Sequence, residues 1–231
     1  MFFFDPTWLL FAIPPMLVML YAQHKVQSTY SKYATEPNGQ RVAGVQVAER
    51  LLREHGLSNV TIEMSQGQLS DHYDPTSKTL RLSPDVYSRA SVASLGIVAH
   101  EVGHAVQDAK AYAPMTIRAS LVPAVNFGSS LAPLLFFAGM ILQMVGLVWI
   151  AIVGFSAAVL FHLVTLPVEL DASNRARAML TTNGMVTPME FDAVDAVLKA
   201  AALTYVAALL QSLGQLAYFV MVATGMSRRD E

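Results

Sequence analysis

The chain has 231 residues, of which 54% are hydrophobic and only 14% are charged, whereas charged residues make up about 25% of an average soluble domain. This balance predicts an integral membrane protein, and the net charge of -2 gives no reason to expect a nucleic acid as partner. The chain has no cysteine, which excludes disulfides and thiolate metal sites. Any metal must therefore be held by histidine, aspartate or glutamate.

The first apolar segment covers residues 7–22 and predicts an N-terminal membrane anchor within residues 1–22. It is short beside the roughly 17–25 residues of a usual span, although Phe2–Phe4 can extend it. The basic residues that follow it closely are Lys25, Lys32 and Arg41, and none precedes it. The positive-inside rule therefore predicts an external N-terminus and a cytoplasmic segment at residues 23–115. A buried helix of a soluble protein is the alternative.

Residues 23–115 have a soluble character. The stretch RVAGVQVAERLLREHG predicts an amphipathic helix that ends at Gly56. The stretch NVTIEM alternates, with Val60, Ile62 and Met64 on one face, and this predicts a strand.

The stretch DHYDPTSKTLRLS predicts a turn at Asp74 and Pro75 that leads into a second strand. The apolar side chains on one face of that strand are Leu80 and Leu82. Ser83 followed by Pro84 is typical of a helix start, and a helical region with few breakers is predicted from there to about Asp108.

A long apolar region without formal charge extends from residue 121 to residue 166. At about 1.5 Å per residue it is too long for one crossing of a ~30 Å hydrocarbon core and suits two. This predicts a transmembrane helical hairpin at residues 116–166, with its turn near residues 143–146. A polar segment at 167–199 and a last apolar helix at 200–231 follow. The predicted fold is a mainly α integral membrane protein with about four transmembrane helices and a small β-hairpin or sheet.

The segment IVAHEVGHAVQ, residues 97–107, carries the pattern H-E-x-x-H. On a helix, positions i and i+4 lie about 40° apart, so His100 and His104 can both direct a ring nitrogen at one ion. Glu101 lies about 100° round, where it can reach a water molecule on that ion. Zinc lowers the pKa of such a water to about 7, which makes Glu101 the predicted general base. A pair of surface histidines is the alternative, and the uncharged flanks disfavour it.

Catalytic zinc needs a third protein ligand and one open position. The residues directly after His104 offer only Asp108, whereas Glu169 follows the long apolar region. Two membrane crossings return the chain to the side on which the histidines lie, so Glu169 is the predicted third ligand. Pro167, two residues earlier, predicts the start of a helix.

Several further polar residues are weaker candidates. Those that could orient a metal-bound histidine are Asp171, Ser173 and Asn174, with ordinary positions on a helix surface as the alternative. His162 precedes Glu169 by seven residues and shares its helix face, although a histidine near a membrane interface is the favoured interpretation. The remaining histidines, His24, His55 and His72, have no partner at ligand spacing.

Four stretches of the chain, in the same order, resemble the YugP-type membrane zinc metallopeptidases, also called neutral zinc metallopeptidase family 2. They are LSDHYDPTSKTLRLS, VAHEVGHAVQ, LPVELDAS and KAAALTYVAALLQ. The resemblance covers nearly the whole chain. It implies a bacterial membrane protein of the gluzincin type, with zinc on His100, His104 and Glu169 and with Glu101 as base. Residues 169–173 are similar to the E-x-x-A-[DS] element of HtpX-like membrane proteases, with Ser173 where that group has aspartate.

The resemblance also implies a strand that binds substrate. In gluzincins an edge strand beside the HExxH helix pairs with extended substrate, and Lys78–Leu82 or Val60–Met64 would serve here; a plain β-hairpin packed on the helix is the alternative. Tyr205 is a candidate donor to the oxyanion or a packing residue. The residues do not reveal the chemistry of the DHYD tetrad at 71–74.

These observations predict a membrane-embedded zinc metallopeptidase that hydrolyses peptide bonds of extended or unfolded polypeptides at the cytoplasmic face of the bacterial plasma membrane. One alternative is an intramembrane-cleaving metalloprotease, which the charged residues Arg89, Asp108 and Lys110 around the motif disfavour. A non-enzymatic metal-binding membrane scaffold is the other alternative. It is disfavoured because a structural zinc usually has four protein ligands.

Overall fold

The computed structural model describes residues 6–227. Within this range there are seven helices and a three-stranded sheet, which confirms the predicted mainly α fold with a small sheet. The chain divides into two compact units. Among the described residues, unit 1 comprises 6–22, Thr116–Leu166 and 204–227, and unit 2 comprises Gln23–Met115 and Pro167–Leu203. The predicted extension of the anchor through Phe2–Phe4 lies outside the described residues.

Four of the described helices are long and apolar enough to cross a membrane, as predicted. The helices are α1 (Pro6–Tyr33), α2 (Gly44–Glu54), α3 (Pro84–Ser88), α4 (Val92–Ala109), α5 (Ala113–Ile141), α6 (Val145–Thr182) and α7 (Pro188–Ser227). The four long ones are α1, α5, α6 and α7, and each contributes residues to both units.

Unit 1 is held together by apolar contacts and by close backbone approach. The turn predicted near residues 143–146 lies between α5 and α6, with Gln143 at a φ of 54°. A Cβ atom on Gly128 of α5 would lie 2.4 Å from the carbonyl oxygen of Gly154 on α6, so only glycine permits this approach. Phe136 and Phe219 stack with ring centroids 3.9 Å apart and anchor the core of the unit.

The helical region predicted from Ser83 to about Asp108 is present, and it is divided into α3 and α4. Arg89 has extended backbone angles and ends α3. Ser91 then caps a new helix, because its hydroxyl accepts a hydrogen bond from the Ser94 amide at 3.1 Å. Pro167 does not start a helix, since α6 continues through it.

The sheet has the order β1-β3-β2, where β1 is Thr61–Met64, β2 is His72–Asp74 and β3 is Thr79–Leu82. β3 pairs in parallel with β1 and antiparallel with β2. The strand β2 was not predicted, and it makes β3 central. Lys78–Leu82 therefore offers no edge to a substrate, and that prediction was wrong; the edges are β1 and β2.

The core of unit 2 lies around α4. Leu80 and Leu82 of β3 are both buried, as predicted, whereas Met64 of β1 is 53% exposed. Side chains from α2 and from the unit 2 parts of α6 and α7 complete this core, among them Leu51, Leu180 and Val194. The helix α4 is thereby buried on most of its sides, and its polar face is fixed in direction.

Candidate metal centre

Helix α4 presents the two predicted histidine ligands on one face. The rings of His100 and His104 lie edge to face with centroids 4.7 Å apart. Their side chains are only 13% and 11% exposed. Burial of two imidazoles is costly without a polar partner, so the groups around them matter.

Helix α6 brings Glu169 to these rings. Its Oε2 atom lies 3.2 Å from Nε2 of His100 and 3.4 Å from Nε2 of His104. The candidate ligand atoms of the three residues lie within 4.8 Å of one another, and Glu169 is buried. Within residues 6–227, these three side chains are the cluster of histidine and acidic groups that could hold a metal ion. Glu169 therefore lies close to the two histidines, as the even number of membrane crossings predicts.

The approach of α6 to α4 depends on a glycine within the motif. A Cβ atom on Gly103 would lie 2.8 Å from the carbonyl oxygen of Ala172. Real Cβ atoms essentially never come that close to a backbone oxygen. Position 103 must therefore be glycine if α4 and α6 are to keep this distance.

A buried glutamine fixes the ring of His104. The side-chain amide of Gln107 donates from Nε2 to the carbonyl oxygen of Val168 and to Oδ2 of Asp171, each at 2.8 Å. Its Oε1 atom is then the acceptor for Nδ1–H of His104, at 2.9 Å. A proton on Nδ1 leaves Nε2 as the lone-pair nitrogen. This nitrogen faces Glu169 and is available to a metal.

The other histidine has a different partner. Oγ of Ser173 lies 3.2 Å from Nδ1 of His100. Ser173 therefore lies where a residue that orients the ring of a metal-binding histidine is expected. Asn174 does not take part, since its side-chain oxygen accepts from Arg177. Asp171 acts one step further away, through Gln107, and is itself paired with Arg175.

Glu101 is bound by the edge of the sheet. Its Oε2 atom accepts a hydrogen bond from the backbone amide of Tyr73 in β2 at 3.1 Å, and the residue is 9% exposed. The Tyr73 hydroxyl donates to Asp108 at the end of α4, at 2.6 Å. Tyr73 thus joins β2 to α4 at two points, through its backbone amide at Glu101 and through its hydroxyl at Asp108.

The rest of the tetrad holds the loops around β2. Asp71 accepts from the backbone amide of Ser83 at 2.7 Å and from its hydroxyl at 3.0 Å. Asp74 accepts from Thr76 and Ser77 and so closes the predicted turn. The tetrad is therefore a structural support for the strand that touches Glu101.

The pKa values of His104 and of Asp71, which supports β2, are both shifted. Burial alone would lower the pKa of His104, but the hydrogen bond that its ring donates to Glu169 and the charges of Glu101 and Glu169 raise it above the ordinary value. Burial raises the pKa of the Asp71 carboxyl, and the charge of Glu101 acts in the same direction, whereas the hydrogen bonds from Ser83 oppose it. The site thus favours positive charge at His104 when no metal is bound.

The remaining candidate residues are not part of the three-residue cluster. His162 lines a cavity of unit 1, and Tyr205 also belongs to unit 1. His24 is exposed, and His55 and His72 have ring nitrogens near the backbone oxygens of Leu51 and Ser70.

Sequence reasoning missed Gln107 and Tyr73. Gln107 follows His104 by three residues and so shares its helix face, which is a signal that the sequence does contain. Tyr73 acts on Glu101 through its backbone amide, and no side-chain pattern reveals such a contact.

The chain is similar to known proteins over most of its length. The model of the family described as "Putative neutral zinc metallopeptidase" matches residues 8–224, and the chain belongs to this family. The chain is also 44% identical over 211 residues to the "Putative membrane protease YugP" of Bacillus subtilis (strain 168), which covers 91% of this chain and 93% of that protein. No solved structure matches the chain. The predicted family is confirmed.

Proposed function

We propose that this protein is a membrane-embedded zinc metallopeptidase of the HExxH, gluzincin-like type. In this proposal His100, His104 and Glu169 hold the zinc and Glu101 is the general base. The observation that carries it is the cluster of three ligand atoms within 4.8 Å, on the face of α4 beside Glu101. Membership in a family of zinc metallopeptidases supports the same conclusion.

The chemistry of these groups fits zinc. Two imidazole nitrogens and a carboxylate oxygen are ligands that zinc commonly takes, and three protein ligands leave one position open, as in catalytic sites. The hydrogen bond between His104 and Gln107 sets the tautomer that a metal ligand needs. Zinc bound there would lower the pKa of a water molecule and polarise a peptide carbonyl.

Glu101 moves the proton in the proposed reaction. Its carboxylate removes a proton from water, the hydroxide oxygen bonds to the peptide carbonyl carbon, and the same carboxyl group returns the proton to the leaving amine when the C–N bond breaks. The hydrogen bond from the Tyr73 amide to one oxygen of Glu101 holds the carboxylate and leaves the other oxygen for this proton. The low exposure of Glu101 limits competing water.

Strand β2 is the proposed binding strand for an extended substrate. It lies at an edge of the sheet, and the hydrogen bond from its Tyr73 amide to Glu101 keeps this edge beside the proposed base. An edge strand binds a polypeptide through backbone hydrogen bonds, which requires the substrate to be extended or unfolded. β1 is the other edge, and it lacks such a contact to Glu101 among the described residues.

Substitution of Glu101 by glutamine tests the mechanism. Glu101→Gln keeps the shape of the side chain but removes the base, so we expect zinc to stay bound while cleavage of a casein-like unfolded substrate falls by about 10²–10⁴-fold. Glu63→Gln, at an exposed ion pair with Arg81 of the sheet, is the matched control and keeps full activity. Undiminished turnover by Glu101→Gln would refute the mechanism. A zinc-loaded wild-type protein that cleaves nothing would support the scaffold alternative.

We also propose that the site faces the cytoplasm of a bacterium, in its plasma membrane, with the domain limits 1–22, 23–115, 116–166, 167–199 and 200–231. Topology reporters fused after residue 40 and after residue 180 should both report the cytoplasm. Opposite sides would contradict the orientation. Because the chain lacks cysteine, single cysteines introduced at residues 95–110 can be labelled with a water-soluble reagent. Complete protection of all of them would favour intramembrane cleavage.

A further inference from the structure

The two contacts of Tyr73 with helix α4 lie far apart along the helix. The backbone amide of Tyr73 donates to Oε2 of Glu101 at 3.1 Å, and its hydroxyl donates to Oδ2 of Asp108 at 2.6 Å. Glu101 and Asp108 are seven residues apart, so they share one face of α4 and are separated by about 10 Å along its axis. A single residue of β2 therefore spans about two turns of the helix that carries the motif.

Two attachments restrict β2 more than one attachment does. A single hydrogen bond at Glu101 leaves the strand free to turn about that bond, whereas a second bond at Asp108 also fixes its direction. The strand has only three residues, His72–Asp74, and it forms an edge of the sheet. Since its pairing within the sheet is short, the attachment to α4 is a large part of what fixes the position of the Tyr73 amide.

The surroundings of the Tyr73 hydroxyl suit a permanent attachment. The ring of Tyr73 is buried in the core of unit 2, and the carboxylate of Asp108 also accepts a hydrogen bond from Nζ of Lys78. Burial raises the pKa of the Tyr73 hydroxyl, and the hydrogen bond to Asp108 and the charges of Asp108 and Asp74 raise it further. The hydroxyl therefore keeps its proton and stays a donor. A hydrogen bond to an ionised acceptor is stronger than one between neutral groups.

The bond to Asp108 acts on the same residue that holds Glu101. Ring and amide of Tyr73 are joined through one Cα atom, so a shift of the ring also shifts the amide. The hydroxyl donates to Asp108, about two turns along α4 from Glu101, and its effect on the proposed base is therefore one of position. A misplacement of about 1 Å that originates far from the reacting atoms can lower a rate about 100-fold.

We propose that Asp108 is a positioning residue for the peptidase reaction: through the Tyr73 hydroxyl, it sets where the Tyr73 amide holds the carboxylate of Glu101. This inference rests on the proposed function, in which Glu101 is the base. Because β2 keeps its pairing with β3 when the bond to Asp108 is lost, the edge offered to a substrate stays in place. The loss should therefore appear in kcat rather than in KM.

Kinetics of variants that lack this one bond test the proposal. Tyr73→Phe keeps the ring in the core, so we expect the protein to fold and kcat on a casein-like unfolded substrate to fall about tenfold, with KM and zinc affinity unchanged. Asp108→Ala should lose as much, whereas Asp108→Asn keeps an acceptor and should retain most of kcat. The control is Tyr33→Phe, which removes a hydroxyl beside the same core and should keep full activity.

The double variant shows whether the two residues act through each other. Tyr73→Phe combined with Asp108→Ala should lose no more kcat than either change alone, because all three proteins lack the same bond. Additive losses would overturn the proposal. So would a loss of kcat in Asp108→Asn equal to that in Asp108→Ala.

Amide hydrogen exchange tests the positioning without any cleavage, in the full-length protein without added zinc. In Tyr73→Phe and in Asp108→Ala, the amide of residue 73 should exchange about tenfold faster than in the wild type, while the amides of β3 exchange as before. Unchanged exchange at residue 73, or faster exchange throughout unit 2, would contradict the proposal. A zinc-loaded wild-type protein that cleaves nothing would refute the proposed function instead, and exchange at residue 73 would still decide whether Asp108 positions the strand.

Discussion

The two units of the molecule use their polar side chains in different ways. In unit 1 the hydroxyls of Ser129 and Ser156 donate to carbonyl oxygens four residues earlier in their own helices. In unit 2 the polar contacts connect distant parts of the chain, as Gln107 does with Asp171 and His100 with Ser173. The first kind of bond satisfies a group locally, and the second kind fixes one helix against another.

This difference indicates where function is sensitive to substitution. Unit 1 depends on apolar and small side chains, which many sequences can supply. The predicted metal centre depends on a network in which each buried polar group has a named partner, and removal of one partner leaves another unsatisfied. Substitutions within that network should change zinc affinity, whereas comparable substitutions in unit 1 should not.

Loss of the Glu169 carboxylate, which joins α6 to the histidines, should have the largest effect on zinc affinity. Because about 10–16 kcal/mol of zinc binding is shared among roughly four ligands, Glu169→Ala should weaken zinc about a hundred- to thousandfold. Competition with a chromogenic chelator measures this. Asp195→Ala is the control, since Asp195 is a carboxylate of unit 2 that pairs with Arg177 and Lys199 away from the cluster. Equal zinc affinities for the two variants would remove Glu169 from the site.

The next effect concerns the residue that orients His104. Gln107→Leu removes the acceptor for Nδ1–H and leaves the ring free to turn, and such changes typically cost 10–100-fold in metal affinity. Gln107→Glu keeps an acceptor and should fall between Leu and the wild type. Asn126→Leu, at an exposed position of α5 in unit 1, should leave zinc affinity unchanged. Zinc binding by Gln107→Leu at the wild-type level would show that the glutamine is only a packing residue.

The sequence predicted the parts of the site that follow from periodicity and from counting spans. The spacing of His100 and His104 fixes them on one helix face, and the even number of crossings predicts their meeting with Glu169. The metal and the role of Glu101 stay predictions. The contact of Gln107 with α6 required knowledge of which helix packs on α4, which no local pattern contains.

The fold could be predicted from the sequence to a similar extent. The long apolar helices and the strand with Leu80 and Leu82 were recognised because their patterns are long or regular. The three residues of β2 were too few to show a period, and so the central position of β3 was missed. Pro167 predicts a helix start, but α6 continues through it, because packing against α4 and other elements of unit 2 outweighs a local signal.

Zinc affinity should depend on pH in a direction set by His104. A metal needs the neutral ring, and the pKa of His104 lies above its ordinary value of 6.5. Protons should therefore begin to compete above pH 6.5, with about a tenfold loss of affinity per pH unit below the pKa of the histidine. In the metal-free protein the sign is opposite: the stabilisation from this charged ring is complete below pH 6.5 and is lost as pH rises through the raised pKa. Zinc titrations from pH 8 to pH 5.5 measure the first trend, and a constant affinity would contradict it.

A pair of matched glycine substitutions should have the smallest effect on zinc and compares the two units most directly. Gly103→Ala and Gly128→Ala each place a methyl group against a backbone carbonyl, 2.8 Å and 2.4 Å away, so each should destabilise its unit by about 1–3 kcal/mol. Thermal unfolding should detect both. Only Gly103→Ala moves α4 away from the segment of α6 that carries Glu169, so only this variant should weaken zinc, by a few fold. An equal change in zinc affinity for Gly128→Ala would mean that helix packing in unit 1 controls the metal centre as strongly as the polar network does.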